Sequence, residues 1–119
     1  MATKFYQFRQ NNSGGTFDSS EADGIGWLVV IEATSAGHAN DRAERIGLYF
    51  DGCNDGRDCS CCGDRWCSAY GDGDDVPSVY RMPLEGSEYE SALYWGLPAF
   101  VHYLGAEGVV RYPRIGGAK

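Results

Sequence analysis

The run Ile25-Gly26-Trp27-Leu28-Val29-Val30-Ile31-Glu32-Ala33 constrains the fold more than any other part of the chain. Its β-branched residues favour an extended backbone, and its near-continuous apolar character predicts a central strand. Two residues later Ser35 is placed to cap a helix over residues 36–46. Ala36, Ala39, Ala43 and Ile46 recur at helical spacing and form a narrow apolar stripe. Small alanines there let a helix sit close to a sheet. Asn40, Asp41, Arg42, Glu44 and Arg45 lie mostly outside the stripe, and Gly47 stands where a left-handed C-terminal cap is expected.

The remaining elements are shorter. Residues 3–10 alternate so as to give a strand with one buried face, and Asn11-Asn12-Ser13-Gly14-Gly15 follows as a turn-forming cluster. Residues 17–24 read as an exposed acidic loop. Leu48-Tyr49-Phe50 leads into a cysteine-rich loop, and Gly71-Asp72-Gly73-Asp74-Asp75 reads as a flexible acidic connector. An edge strand is predicted over 76–82, with Pro77 near its start, and a short helix within 85–95. Residues 99–104 and 109–112 form a predicted hairpin across Gly105-Ala106-Glu107-Gly108. Residues 113–119 read as a tail. A chain of 119 residues is the length of about one domain. The expected fold is therefore one α+β domain spanning 1–119. It has a small antiparallel sheet, one main helix packed across it, and a long Cys/Gly-rich loop.

The charge narrows the function. A net charge of −7 argues against general nucleic-acid binding, which depends on neutralising phosphates. An acidic chain can still hold a small anion at a local site. No segment approaches the ~20 apolar residues of a membrane span, and the N-terminal residues lack the apolar run of a signal peptide. These features predict a cytoplasmic protein whose cysteines stay reduced.

All five cysteines lie within residues 53–67. Cys59 and Cys62 have the C-x2-C spacing of a zinc knuckle, and Cys53 and Cys67 complete a possible tetrahedral set. Cys61, beside Cys62, fits the same ion less well. The second half of the set has no matching C-x2-C. A reduced, Gly-rich loop with no metal is an equal alternative, and redox or nucleophilic use is a third. Arg57 and Arg65 would lower a thiol pKa, whereas Asp55, Asp58 and Asp64 would oppose this.

Two segments suit an anionic ligand. In Asn11-Asn12-Ser13-Gly14-Gly15, glycines allow close backbone approach, successive N–H groups can form an anion nest, and side chains add donors. A plain turn is the alternative. In Asp64-Arg65-Trp66, a guanidinium fork stands beside an aromatic ring; the alternative is a buried Trp with a structural Arg–Asp pair. Asp72, Asp74 and Asp75 suit a hard cation less well than they suit a solvated loop. His38 and His102 are ordinary surface or core histidines on this reading, and no G-x-S-x-G motif is present.

Gln10-Asn11-Asn12-Ser13-Gly14-Gly15, Ile31-Glu32-Ala33, the segment from Gly47 to Cys53, and Asp58-Cys59-Ser60-Cys61-Cys62-Gly63-Asp64-Arg65-Trp66 together resemble a family of small tailed-phage proteins of unknown function. The similarity covers roughly residues 3–67 and closes at Trp66, before Cys67. The resemblance implies a phage accessory protein acting inside a bacterium. By analogy with small anti-defence proteins, it points to a non-enzymatic, homo-oligomeric binder that sequesters a nucleotide-derived immune signal, such as a cyclic dinucleotide or an ADP-ribose derivative. Asn11, Asn12, Ser13, Gly14, Gly15 and Arg65 would then contact phosphate or ribose beside Asp64, and Trp66 would pack a base or the loop. Two alternatives remain: a module stabilised by structural zinc that binds a host protein, and a small metal- or Cys-dependent hydrolase.

Overall fold

The computed structural model describes residues 3–10, 20–26, 28–56, 63–79, 82–83, 99–105 and 108–112. Its elements are β1 (Lys4–Arg9), a single 3-10 turn (Glu21–Asp23), β2 (Leu28–Ala33), α1 (Ala36–Ile46), α2 (Gly52–Asp55), β3 (Ser78–Val79), β4 (Met82–Pro83), β5 (Ala99–His102) and β6 (Val109–Tyr112). The main sheet has the order β1-β2-β5-β6, and β3-β4 form a second, two-stranded sheet. The fold is α+β with one main helix, as expected. The turn at 11–15, the helix within 85–95, the tail from 113, and residues 57–62 of the cysteine loop lie outside the described residues.

The helix forms where its local signals place it. Ser35 is extended (φ −162°) and its Oγ accepts the His38 N–H at 3.1 Å. At the other end Gly47 adopts φ +119°, its N–H bonding Glu44 O while Leu48 N–H bonds Ala43 O. Ala39 and Ala43 are fully buried, and Ala36 and Ile46 pack at the margin of the same core.

The expectation of a wholly antiparallel sheet is corrected at its centre. β1–β2 and β5–β6 are antiparallel, but β2 and β5 run parallel, with Val29 beside Phe100 and Ile31 beside His102. Parallel strands need a crossover connection, and the long stretch from α1 to β5 provides one. Strands in such a pair tend to be covered on both faces. Leu28, Val29, Val30, Ile31, Ala99 and Val101 all have no exposed surface.

The register sorts the side chains by face. Tyr6 and Phe8 on β1, Val29 and Ile31 on β2, and Phe100 and His102 on β5 share one face, and Val109 and Arg111 on β6 extend it. Tyr6, Phe8, Val29 and Ile31 belong to the same core cluster as Ala39 and Ala43, so this is the face covered by α1. Phe8 stacks on Phe50 with centroids 6.0 Å apart. On the opposite face Phe5 meets Tyr103 edge-on at 5.7 Å.

Three local readings change. Asp74, expected in a flexible connector, pairs with Phe5 through two backbone hydrogen bonds of 2.8 Å and covers the outer edge of β1. Lys4 and Asp75 form an exposed ion pair beside it. Pairing an edge satisfies its backbone groups and removes a template for aggregation. The edge strand expected over 76–82 is instead the small hairpin β3–β4, with Val79 opposite Met82. Of the loop expected over 17–24, Ala22 and Asp23 are exposed as expected, but its end turns inward. Ser20 bridges Ile25, and Gly24, Ile25 and Gly26 are buried.

Arg42 secures the parallel pair. Its guanidinium donates to the carbonyls of Glu32 at 2.6 Å and Tyr103 at 3.3 Å, joining α1 to the C-terminal ends of β2 and β5. The Glu32 side chain ties the same region from the other face, accepting from Thr3 Oγ1 and from the Leu104 N–H at 3.0 Å. Those hydrogen bonds hold its carboxyl below the ordinary value of 4.5.

Candidate functional site

Gln10, the residue before Asn11, meets one of the segments picked out for ligand contact. This side chain is buried at the end of β1, where its Nε2 donates to Gly26 O at 3.0 Å and its Oε1 accepts from Arg65 Nη1 at 2.9 Å. Arg65 Nε also donates to the Tyr49 hydroxyl at 3.2 Å. A buried guanidinium needs such acceptors because it has lost water. Asp64 meets the backbone of Cys53, whose N–H donates to Oδ1 at 3.0 Å. Trp66 is 2% exposed and belongs to the core cluster. The structure thus brings Gln10 against Arg65, while the Trp66 ring packs inward.

Asn11, Asn12, Ser13, Gly14 and Gly15 lie outside the described residues, as do Cys59 and Cys62. Cys53 is half-buried on α2 and Cys67 is exposed just beyond Trp66. Among the described residues no group of three or more His, Cys, Asp or Glu is arranged to hold a metal ion.

A cavity of about 560 Å³ opens elsewhere, between the C-terminal end of α1 and the β5–β6 hairpin. That is the size range of small-molecule sites, roughly 300–1,000 Å³. Ala22, Asp23 and Gly24 form one wall, Arg45 and Ile46 a second, and Phe100, His102, Val109 and Arg111 the third. Each wall has a local cause. Ser20 Oγ donates to Asp23 Oδ2 at 3.0 Å and steadies the 3-10 turn. Arg45 lies in the last turn of α1, where a cation complements the helix dipole. Arg111 stands opposite Phe100, and Val109 opposite His102, because β5 and β6 pair in that register. A helix C-terminus by itself disfavours an anion, but here the Ala43 and Glu44 carbonyls are already bonded within the cap.

His102 lines this cavity. It is 4% exposed, and Nε2 lies 2.8 Å from Gly24 O. Burial pushes its pKa below the ordinary 6.5; the Gly24 carbonyl opposes that effect and nearby Arg42 adds to it. The ring is therefore neutral near pH 7. The stability consequence follows from linkage. Below pH 6.5 the unfolded chain takes up a proton that folded His102 resists, so stability is lost as pH falls from that value toward the lower folded pKa. Melting curves between pH 7.5 and 5.5 are expected to show a falling Tm, with a weaker fall in His102→Gln. Equal slopes for the two proteins would show that His102 does not carry the effect.

No local sequence signal marks Arg45, Phe100 or Arg111 as site residues. The period of two that puts Phe100 and His102 on one face was legible in the chain. The helix end that roofs them, and the register that adds Arg111, were not.

The chain belongs to the family described as a domain of unknown function (DUF7296), whose family model matches residues 3–115. No curated protein and no solved structure matches the chain. No helix among the described residues is long and apolar enough to cross a membrane.

Proposed function

We propose that this member of the DUF7296 family is a phage accessory protein that binds and sequesters a nucleotide-derived immune signal in the cytoplasm of a bacterial host. A cyclic dinucleotide or an ADP-ribose derivative is the intended class, held by a homo-oligomer. One observation carries the anion-binding part: a chain of net charge −7 places two guanidiniums, Arg45 and Arg111, in one concavity with Ile46, Phe100 and Val109. Guanidiniums pair with phosphate through forked hydrogen bonds, and the apolar wall offers contact to a ring or sugar. The phage origin rests on the resemblance of the Gln10–Gly15 and Asp58–Trp66 motifs. Gln10 joins those motifs through Arg65, which supports a second set of contacts near residues 11–15.

Calorimetric titration with cyclic dinucleotides and ADP-ribose derivatives tests the reading. Each charge-assisted hydrogen bond lost costs ~1.5–3 kcal/mol, or about 10- to 150-fold in affinity. Arg45→Gln and Arg111→Gln are each expected to weaken binding by an amount in that range. Native mass spectrometry of the same sample reports oligomeric state and any ligand carried through purification. Intact ligand recovered after denaturation supports sequestration. Converted ligand points to the hydrolase instead, and no binding across the panel removes the proposal.

A second reading keeps the zinc-stabilised, host-binding module. The Cys53–Asp64 hydrogen bond favours it by drawing together the two ends of the cysteine loop. Cys53, Cys59, Cys62 and Cys67 would be the ligands, with thiolate chemistry that suits zinc. Elemental analysis of chelator-free protein is expected to give one zinc per chain, and Cys59→Ser to destabilise the fold because metal binding and folding are coupled. Zinc near zero with five reactive thiols would exclude it.

A further inference from the structure

The cavity beside α1 holds two kinds of hydrogen-bonding group. Arg45 and Arg111 only donate. His102 brings both a donor and an acceptor. A carbonyl can only accept, so the 2.8 Å contact to Gly24 O requires the proton of the neutral ring on Nε2. Nδ1 is then left with its lone pair, and it has no hydrogen-bond partner among the described residues. His102 is 4% exposed, so this acceptor is buried. Such acceptors are normally satisfied, by protein, water or a ligand. The Asp23 carboxylate adds a second acceptor, steadied by Ser20.

A bare inorganic anion answers only half of that arrangement. It would meet the guanidiniums but offer little to Nδ1 and be repelled by Asp23. A phosphate ester that also carries hydroxyls answers both halves. We infer that the ligand of this cavity is a hydroxyl-bearing phosphate ester, its phosphate held by Arg45 and Arg111 and one hydroxyl donated to His102 Nδ1. The inference rests on the anion-binding reading above and narrows its ligand to ribosyl or other sugar phosphates.

The test is calorimetric titration of the full chain with AMP, ribose 5-phosphate, 2′,3′-dideoxy-AMP and inorganic phosphate. AMP is expected to bind about tenfold more tightly than its dideoxy analogue, the effect of one hydrogen bond to a buried acceptor. Inorganic phosphate is expected to bind more weakly than either hydroxylated ester. AMP binding above ribose 5-phosphate would identify a nucleotide, and equal binding a sugar phosphate; both support the inference. Equal affinity for AMP and its dideoxy analogue, with both lost in Arg45→Gln, overturns the hydroxyl contact while leaving anion binding in place. No binding by any probe overturns the inference, and the anion-binding reading then stands or falls on the titration with cyclic dinucleotides and ADP-ribose derivatives. His102→Phe is expected to erase the discrimination, and discrimination that survives in a folded His102→Phe protein also overturns the assignment. Should that variant fail to fold, the comparison of ligands on the unaltered chain decides the matter.

Discussion

Trp66→Ala is expected to destabilise the protein by about 3–5 kcal/mol, the cost of emptying a large aromatic site in a packed core. Trp66 is 2% exposed and is the largest of the fully buried side chains among the described residues. It shares a cluster with Tyr6, Phe8, Val29 and Leu48, residues from two strands and the segment after α1. Its loss would leave these neighbours facing a void that they cannot close without moving the sheet. For a domain whose whole stability is about 5–15 kcal/mol, that is a large share. Denaturant unfolding followed by circular dichroism measures it. A loss under 1 kcal/mol would show that the ring is not part of the core.

Gly24→Ala is the second large effect. Gly24 has φ +71°, and a Cβ there would stand 2.8 Å from the His102 ring and 2.8 Å from Val109 Cγ1. Two costs combine: the left-handed backbone, ~1–2 kcal/mol, and overpacking against groups that are held, ~1–3 kcal/mol. The expected total is about 2–5 kcal/mol. Gly108→Ala supplies the control, because Gly108 also has positive φ (+64°) but nothing lies within 4 Å of its Cβ position. Its cost should be the backbone part alone. If the two substitutions shift Tm equally, the close packing of Gly24 on His102 is not what the site depends on.

These substitutions fall on residues that the chain advertises unequally. Trp66 was visible as one of three tryptophans beside an arginine, with two readings open, solvent-facing platform or buried anchor. Its neighbours decide: Tyr49 and Gln10 accept from Arg65, so the loop turns its arginine to polar partners and its indole inward. Gly24 gave no such signal. Glycine in a loop is common, and its need here comes from a histidine on β5 that local sequence does not place beside it.

What the sequence by itself determined is whatever depends on neighbours along the chain. The Ser35 cap, the alanine stripe and the Gly47 terminus each act within one or two helical turns, so α1 runs over the expected residues, 36–46. Alternation and turn chemistry likewise act locally, and the β5–β6 hairpin follows from them. Only the tertiary structure decided the parallel pairing of β2 with β5, the edge contact of Asp74 with Phe5, and the meeting of Arg45, His102 and Arg111 around one cavity. Each is a contact between segments far apart in the chain. Strand direction depends on the route of the crossover, and no local propensity encodes it. A helix end and a hairpin share a cavity only once the sheet has fixed their distance, so the site became legible with the packing.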